Sequence, residues 1–396
     1  MNSETAEFIR KHGDDDVRQL ALRGANWREV DMPFALRQIA GRQTARAKLP
    51  TWAAVEGIVY PPHLSLEQCS SERTASYKAA IARRLGIDDS LVDLTGGFGV
   101  DFFFLAKMVK RAVYVERQEH LCTAAENNFR LLGLTNATVK NADSIEILHD
   151  LDFASLLFLD PARRNEHGVK IHSMAECSPN VIEMQDELLL KADYVMVKLS
   201  PMLDWHKAIE DLRAVVEVHI VSVKNECKEL LLVLSEKHPS PTRLFCVNDD
   251  DTFECPLMSD LSMKSAVFAH PKVGDYLYEP NSSIMKGGCF DALSEHFDVR
   301  PIGRNSHLFV GCEPIADFPG RKFQISAISS MNKHELREML RGLNQANITV
   351  RNFPISVAEL RKRLRLRDGG NVYLFATTNS DGCHIIIHGK TLERQL

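Results

Sequence analysis

Between Leu91 and Leu234 the sequence alternates short apolar runs with amphipathic segments, and this pattern limits the chain to few folds. The runs are, in order, LVDLT, AVYVE, ATVK, LLFLD, YVMVK, VHIVSV and LLLVL. Strands that alternate with helices form a parallel sheet with helices on both faces. Residues 224–229, which join the last two runs, are too few for a crossover helix, so these runs must pair antiparallel. The sequence therefore predicts an α/β fold whose sheet is parallel except for an antiparallel final strand.

Turn signals and composition divide the chain into four predicted regions. Residues 1–72 are expected to be helical, and residues 73–236 contain the alternating pattern. Near this boundary the letters SLEQ, at 65–68, match a capping box, which predicts that a helix begins there. The stretch HPSP opens residues 237–320, a linker with a small α+β unit, and residues 321–396 form a second small α+β unit.

Composition is that of an ordinary globular protein. The 396 residues are 44% apolar and 26% charged, which excludes disordered and collagen-like chains. No apolar run reaches the ~18 residues that cross a bilayer, and the N-terminus has no signal-peptide core. The nine cysteines include no CxxC pair. We therefore expect free thiols, no metal site, no membrane partner and a cytoplasmic location.

Charge is distributed unevenly along the chain. The net charge is −5, but residues 321–396 hold 13 Lys and Arg against 6 Asp and Glu, a balance of +7, so residues 1–320 carry −12. This asymmetry is typical of a nucleic-acid-binding appendage on an acidic enzyme, with a solvated helix face as the common alternative. Three cations of the segment RKRLRLR are predicted to point outward and contact phosphates: Arg361, Lys362 and Arg365.

A glycine-rich turn joins the first apolar run to the following helix. Glycines there let the backbone approach a ligand closely, and the helix presents free N–H groups. The candidate cofactor-binding residues of this turn are Asp93, Thr95, Gly96, Gly97, Gly99 and Asp101.

Two acids end the neighbouring runs at the same predicted edge of the sheet. Glu116 follows Gly96 by 20 residues, where a carboxylate can accept hydrogen bonds from both hydroxyls of a ribose. Asp143 and the adjacent Ser144 follow the third run, in a position suited to an adenine amino group. Together with the glycine turn, these residues predict a nucleoside-containing cofactor.

The cofactor could be a nicotinamide dinucleotide or S-adenosylmethionine. The dinucleotide fingerprint G-x-G-x-x-G needs a third glycine where this chain has Phe102. Asp93 also lies on the strand before the glycines, where its charge would repel a pyrophosphate but attract a cationic amino-acid group. These two features favour S-adenosylmethionine.

The fourth run ends in Asp160-Pro161-Ala162-Arg163, beside the predicted cofactor crevice. Asp160, Pro161 and Arg163, with Lys198 at the end of the fifth run, are the candidate catalytic residues. Arg163 could instead form a structural ion pair with the acidic domain.

These motifs resemble those of class I S-adenosylmethionine-dependent methyltransferases. DLTGGFG is similar to their first motif, Glu116 to their second and NADS to their third, and the match predicts a Rossmann-like sheet. DPAR resembles the Asp-Pro-Pro-aromatic motif of amino-methyltransferases and the Asp-Pro-x-Arg form of RNA base methyltransferases, except that Arg163 replaces the aromatic residue. The resemblance implies that Asp160 accepts a hydrogen bond from the target N–H.

Among the Asp-Pro-x-Arg relatives, the enzymes that methylate carbon 5 of a pyrimidine use a cysteine that adds to the base. This cysteine typically follows the fifth strand, where this chain has Ser200. Cys177, in a loop after the fourth strand, is the remaining candidate nucleophile, and we interpret it as an ordinary loop thiol. Nitrogen methylation is therefore favoured over carbon methylation.

The segment at 66–80 resembles a motif that closes over the methionine carboxylate in amino-methyltransferases, which makes Gln68, Ser71 and Thr74 candidate cofactor ligands. A capped packing helix is the alternative.

The whole pattern resembles a bacterial group of class I methyltransferases with an N-terminal helical region, a ferredoxin-like insert and a C-terminal THUMP-like domain. EQCSSERTASYKA, DLTGGFGVD, DPARR and RNFPISVAELRKRL carry this resemblance. It implies an RNA substrate, tRNA or rRNA. Two other functions stay open at this point: a catalytically inactive RNA-binding protein, and a methyltransferase that acts on a protein or small molecule.

Overall fold

The computed structural model describes residues 2–23, 27–162, 174–257 and 267–392. The chain divides into two compact units. Unit 1 comprises Met1–Val218 and Leu230–Ser240, and unit 2 comprises His219–Glu229 and Pro241–Leu396. The finer division predicted at residues 72, 236 and 320 stays a prediction.

Unit 1 begins with helices and continues as an alternating α/β domain. The helices are α1 (Ser3–Lys11), α2 (Val17–Leu22), α3 (Met32–Lys48), α4 (Pro50–Ala53), α5 (His63–Gln68), α6 (Glu72–Arg84), α7 (Val100–Ala106), α8 (Glu119–Leu131), α9 (Ser144–Asp150), α10 (Val181–Leu190) and α11 (Trp205–Asp211). The strands are β1 (Ser90–Asp93), β2 (Arg111–Glu116), β3 (Ala137–Asn141), β4 (Ala154–Leu159), β5 (Ala192–Leu199), β6 (Val215–Val223) and β7 (Glu226–Leu234).

The predicted sheet is confirmed, with each apolar run on a strand. The first seven strands of a nine-stranded sheet have the order β3-β2-β1-β4-β5-β7-β6. β1 pairs parallel with both β2 and β4, whereas β7 pairs antiparallel with β5. Strand order reverses between β1 and β4, and in open α/β sheets ligands bind at this reversal, beyond the carboxyl ends of the strands.

The helix start predicted at residue 65 is wrong, because Ser65 lies inside α5, which begins at His63. The capping serine is Ser71, whose Oγ accepts a hydrogen bond from the Thr74 N–H at 3.2 Å and opens α6. The break between the two helices brings residues 68–70 to the carboxyl edge of the sheet.

Unit 2 contains the tip of the β6–β7 hairpin and two further groups of elements. Its strands are β8 (Arg243–Asn248), β9 (Asp251–Pro256), β10 (Tyr276–Pro280), β11 (Arg300–Pro301), β12 (Phe309–Gly311), β13 (Gly320–Ser330), β14 (Asn347–Arg351), β15 (Tyr373–Thr378) and β16 (His384–Thr391). Its helices are α12 (Ser282–Gly287), α13 (Phe290–Phe297), α14 (Lys333–Met339) and α15 (Val357–Leu364).

The two small α+β units expected after residue 237 share one sheet. Seven strands have the order β11-β12-β10-β13-β16-β15-β14, and β10 pairs antiparallel with the long strand β13. Buried Glu279 of β10 ties the two parts together, since it accepts a hydrogen bond from Arg321 Nε at 2.6 Å and one from Arg351 at 3.1 Å. Two cations of the basic C-terminal segment therefore serve the fold.

The described part of the chain has neither a membrane-spanning helix nor a cluster of metal-ligating side chains. None of its helices is both long and apolar enough to cross a membrane. The same residues contain no group of three or more His, Cys, Asp or Glu side chains that could hold a metal ion. His384 and His388 have an HxxxH spacing, but they lie on strand β16, where four residues span about 13 Å.

Candidate functional site

A cavity of about 530 Å³ lies in unit 1, at the reversal of strand order. Its walls are the α5–α6 junction, the β1–α7 turn, the end of β2, the start of α9 and the loops after β4 and β5. Cavities of this size bind small molecules and cofactors. The fold thus brings most of the predicted cofactor residues to one place.

The β1–α7 turn is shaped by its glycines. Gly97 and Gly99 have φ angles of +56° and +84°, in the left-handed region that favours glycine. A Cβ on Gly96 would collide with the ring of Tyr114, and one on Gly99 would lie 2.7 Å from the ring of Phe129. The Tyr114 hydroxyl donates to the Gly97 carbonyl at 2.5 Å, which fixes the turn against β2.

Glu116 holds the same turn from the end of β2. Its carboxylate accepts hydrogen bonds from the Gly97 N–H at 3.0 Å and from the Gln118 N–H at 2.9 Å. The side chain is half-buried and lines the cavity. A carboxylate fixed in this way is preorganised to accept hydrogen bonds from paired hydroxyls of a ligand.

Asp93 and Thr95 connect the glycine turn to the end of β4. Asp93 is buried, and its Oδ1 accepts a hydrogen bond from the Thr95 N–H at 2.9 Å. Burial raises the pKa of Asp93 well above its usual value near 3.8, and the Thr95 N–H opposes this only in part. Thr95 Oγ1 in turn accepts a hydrogen bond from the Asp160 N–H at 2.6 Å. The hydrogen bond to Thr95 therefore links the backbone of Asp160 to the β1–α7 turn.

Asp101, at the start of α7, lies in a buried network of charges. Lys78 Nζ is 3.0 Å from Asp101 Oδ1, and Lys198 Nζ is 3.7 Å from Oδ2. Ser70 Oγ donates to Asp101 Oδ2 at 2.7 Å. Burial would raise the pKa of Asp101, but the two ammonium groups outweigh it and lower the pKa. Asp101 is thus held as a carboxylate within the cavity wall.

Lys198 carries this network to Asp160. Its Nζ is 2.5 Å from Asp160 Oδ2, and Lys198 itself is buried. The Asp160 side chain is 30% exposed, so it faces the cavity while Lys198 fixes it from behind. Two backbone hydrogen bonds, of 2.8 and 3.2 Å, join Ala162 to Ser178. The predicted residue Arg163 lies outside the described residues.

The remaining predicted cofactor residues divide between the cavity and the protein interior. Gln68, Asp143 and Ser144 line the cavity. Asp143 also caps α9, since its Oδ1 accepts a hydrogen bond from the Ile145 N–H at 2.8 Å. Thr74 is buried within α6, does not line the cavity and donates its hydroxyl hydrogen to the Ser71 carbonyl at 3.2 Å. The predicted contact of Thr74 with a cofactor is therefore not supported.

Sequence reasoning missed Lys78 and Ser70. Lys78 is fully buried, on the face of α6 that also buries Ala75, Ala79 and Ala82. A lysine at a core position of an amphipathic helix is the signal that could have revealed it, because a buried ammonium needs a carboxylate partner.

Two thiols near the site are poor nucleophiles. Cys69 lines the cavity, but its Sγ donates to the Leu66 carbonyl at 3.1 Å. Burial, opposed by Lys48 and Lys198, raises the pKa of Cys69 to about 11. Cys177 is buried and is not among the cavity-lining residues. Its interpretation as a structural thiol fits this placement.

The basic surface of unit 2 differs from the predicted one. Arg361 does not project freely, because it is three-quarters buried and paired with Asp368. Lys362 and Arg365 are exposed as predicted, with Arg365 in left-handed conformation at the end of α15. The fold adds exposed cations from α14, α15 and the segments that follow them, since both helices pack on one core cluster. These added residues are Lys333, Arg337, Arg341, Arg363 and Arg367.

Family models match two adjacent parts of unit 2. Residues 276–319 match a ferredoxin-like domain, and residues 320–391 match a THUMP domain-like family. The boundary between the two models falls at the start of β13, the strand that joins the two parts of the seven-stranded sheet.

Two curated relatives are 23S rRNA (uracil(1939)-C(5))-methyltransferases named RlmD. The protein of Aeromonas hydrophila is 32% identical over 132 residues, and that of Photobacterium angustum is 30% identical over 127 residues. These matches cover 30% and 29% of this chain, and 30% and 58% of the relatives. The chain therefore spans less than two thirds of the length of the curated relatives that it matches.

One solved structure matches nearly the whole chain. It is a presumed methyltransferase from Porphyromonas gingivalis W83, 29% identical, with a TM-score of 0.84 over 98% of both chains. Together with the strand order of unit 1 and the family models of unit 2, this match shows that the chain has the Rossmann-like fold of class I methyltransferases and a C-terminal THUMP-like domain.

Proposed function

We propose that the chain is an S-adenosylmethionine-dependent methyltransferase that modifies a base nitrogen in structured RNA, tRNA or rRNA. The observation that carries the proposal is the position of Asp160. Its carboxylate opens into the cavity, Lys198 fixes it from the protein side, and Thr95 of the cofactor turn holds its backbone. A group that acts on the substrate is thereby coupled to the groups that would hold the cofactor.

The residues of the cavity fit S-adenosylmethionine. Glu116 and Asp143 line it on one side, and the glycine turn lets the backbone approach a ligand. Acidic groups suit a ligand that carries a sulfonium and an ammonium charge, and they disfavour a pyrophosphate. Glu116 would hold the ribose, Asp143 the adenine and Gln68 the amino-acid end. When bound, this cofactor supplies an activated methyl group.

Asp160 performs the orienting step. Its carboxylate accepts a hydrogen bond from the N–H of the target base, which aims the nitrogen lone pair at the methyl carbon. The bound cofactor would supply the methyl group and keep the electron pair of its carbon–sulfur bond, which would leave the nitrogen with a proton to lose. The proton of the target N–H passes to Asp160 and from there to water. Lys198 keeps the carboxylate in place throughout, so it is a positioning residue.

Carbon methylation is the alternative, because the RlmD relatives are named for a uracil C5 reaction. That chemistry needs a thiolate that adds to the base. In the described part of the chain, Cys69 is the thiol that lines the cavity, and its pKa is raised to about 11. Ser200 occupies the loop after β5. These features favour methylation of a base nitrogen over methylation of a base carbon.

RNA is favoured as the substrate by the THUMP domain-like match, the rRNA methyltransferase relatives and the exposed cations of α14 and α15. A substrate of this kind also fits a cytoplasmic enzyme.

Mass spectrometry of RNA nucleosides from cells with and without the gene tests the proposal. We expect one N-methylated nucleoside to disappear from rRNA or tRNA in the deletion strain. It should return with the wild-type gene but not with the Asp160→Asn variant. An unchanged nucleoside profile would overturn the RNA assignment. A lost 5-methylpyrimidine would overturn the nitrogen assignment.

A further inference from the structure

Met202 is an exposed apolar side chain at the cavity, in the loop that follows β5. It is 84% exposed, whereas its neighbours Leu203 and Trp205 are buried at 6% and 1% exposure. A single exposed apolar side chain is ordinary on a protein surface, so the position of Met202 at a cavity is what matters. Met202 lines the cavity described above, so its exposure points toward a ligand site.

The backbone around Met202 is fixed rather than loose. The Met202 N–H donates to Ser200 Oγ at 3.2 Å, and the Leu203 N–H donates to the Ser200 carbonyl at 3.1 Å. Asp204 then caps α11 through the His206 N–H at 3.0 Å. The turn therefore presents Met202 in a defined position.

This turn lies at the same edge of the sheet as Asp160. β4 and β5 pair parallel, with Leu159 opposite Val197, so Asp160 and Lys198 follow side by side. Lys198 contacts Asp160 directly and precedes Met202 by four residues. Met202 and Asp160 thus line the same cavity from the loops that follow two neighbouring strands.

The described wall lacks an aromatic ring that could stack on a base. Ala162 offers only a methyl group, and Arg163, which takes the place of the aromatic residue in this motif, lies outside the described residues. The aromatic side chains of the described wall are Phe98 and Phe158, with 5% and 1% exposure. Phe98 packs in the interior against Trp52, with ring centroids 4.9 Å apart. A base in the cavity would have little exposed ring surface to stack on.

We infer that Met202 contacts the face of the target base and replaces the missing aromatic residue. A thioether is polarisable and flexible, and it makes favourable contacts with aromatic rings. Its side chain covers one face of the base while Asp160 accepts the hydrogen bond at its edge. The inference rests on the proposed function, since it assigns a specificity residue for the same reaction.

The test uses the full chain and measures transfer of labelled methyl from S-adenosylmethionine to total RNA from cells that lack the gene. Met202→Ala should raise the KM for RNA by roughly 2- to 10-fold, the range of sulfur–ring contacts. Met202→Phe should restore the wild-type KM, because a phenyl ring stacks on a base as well. The cofactor Kd, measured by calorimetry, should not change in either variant.

Leu190→Ala is the matched control, because Leu190 is 73% exposed at the end of α10 and does not line the cavity. It should leave KM and kcat unchanged. If Met202→Ala has the wild-type KM, or if it weakens cofactor binding to the same degree, the role of Met202 is wrong while the proposed function stands. If the wild-type enzyme transfers no methyl group to this RNA, both the proposed function and the inference are overturned.

Discussion

Among single residues, Glu116 both accepts a hydrogen bond from the glycine turn and lines the cavity. We expect Glu116→Ala to weaken S-adenosylmethionine binding by ~1–3 kcal/mol, because charge-assisted hydrogen bonds to the ribose are lost. Isothermal calorimetry measures this change. Glu119→Gln, an exposed acid on α8, is the control and should bind normally. Tight binding of NADH in place of S-adenosylmethionine would contradict the cofactor assignment.

Asp160 separates substrate orientation from cofactor binding. Asp160→Asn should keep the cofactor Kd within about twofold and lower kcat by at least ~10²-fold, since a neutral amide neither accepts the target hydrogen bond as well nor takes its proton. Single-turnover methyl transfer, with calorimetry beside it, provides both numbers. A normal kcat in Asp160→Asn would remove Asp160 from the mechanism.

Burial of Asp93 makes the stability of the fold depend on pH. Burial raises its pKa in the folded state, so the fold favours its protonated form. Its contribution to stability is present below the unfolded value near 3.8 and is lost as pH rises through the raised folded pKa. We therefore expect the free energy of unfolding of Asp93→Asn to fall less than that of the wild type as pH rises above about 4. Denaturant titrations across this range measure it, and parallel pH profiles of the two proteins would contradict the assignment.

At the scale of elements, the Lys78–Asp101 pair joins α6 to α7. Lys78→Met leaves buried Asp101 with only the more distant Lys198, at 3.7 Å, so it should lower the free energy of unfolding by up to ~3–5 kcal/mol. Asp101→Leu added to Lys78→Met should recover part of this loss. Lys110→Met is the matched control, because Lys110 pairs with Asp89 on the surface at 3.7 Å, and it should cost about 1 kcal/mol or less. Equal costs for the two lysines would show that the buried network does not hold the helices together.

At the scale of the whole molecule, residues 321–396 are rich in Lys and Arg, but several of these cations are paired with acidic side chains. Arg321 and Arg351 are paired with Glu279, and Arg361 is paired with Asp368. The exposed positive charge therefore comes from α14 and α15 and the segments after them rather than from the RKRLRLR segment alone.

The RNA-binding prediction changes accordingly. Lys362→Glu with Arg365→Glu should weaken binding to unrelated RNAs and reduce the slope of log affinity against log salt by about two units or less, since each phosphate contact contributes up to about one. Arg10→Glu with Lys11→Glu, two exposed cations of α1, makes the same change of charge and should leave the slope unchanged. Filter binding at several salt concentrations compares the three proteins. If the Lys362→Glu, Arg365→Glu variant has the same salt slope as the wild type, these two cations do not contact RNA phosphates.

The sequence by itself determined the sheet and many of the residues that line the cavity. Strand runs such as 156–160 and the glycines at 96, 97 and 99 act through local periodicity and backbone freedom, which a linear pattern contains. Glu116 and Asp143 follow from strand ends, because parallel strands bring their carboxyl ends to one edge.

Tertiary structure alone decided which charges are paired and which apolar side chains stay exposed. The partner of Lys78 is 23 residues away on another helix, and Asp368 withdraws Arg361 from a surface that helical spacing had assigned to it. The sharing of one sheet by the two small C-terminal parts depends on the long-range pairing of β10 with β13. Pairing and burial depend on what the rest of the chain packs against each residue, and a local sequence pattern does not contain that information.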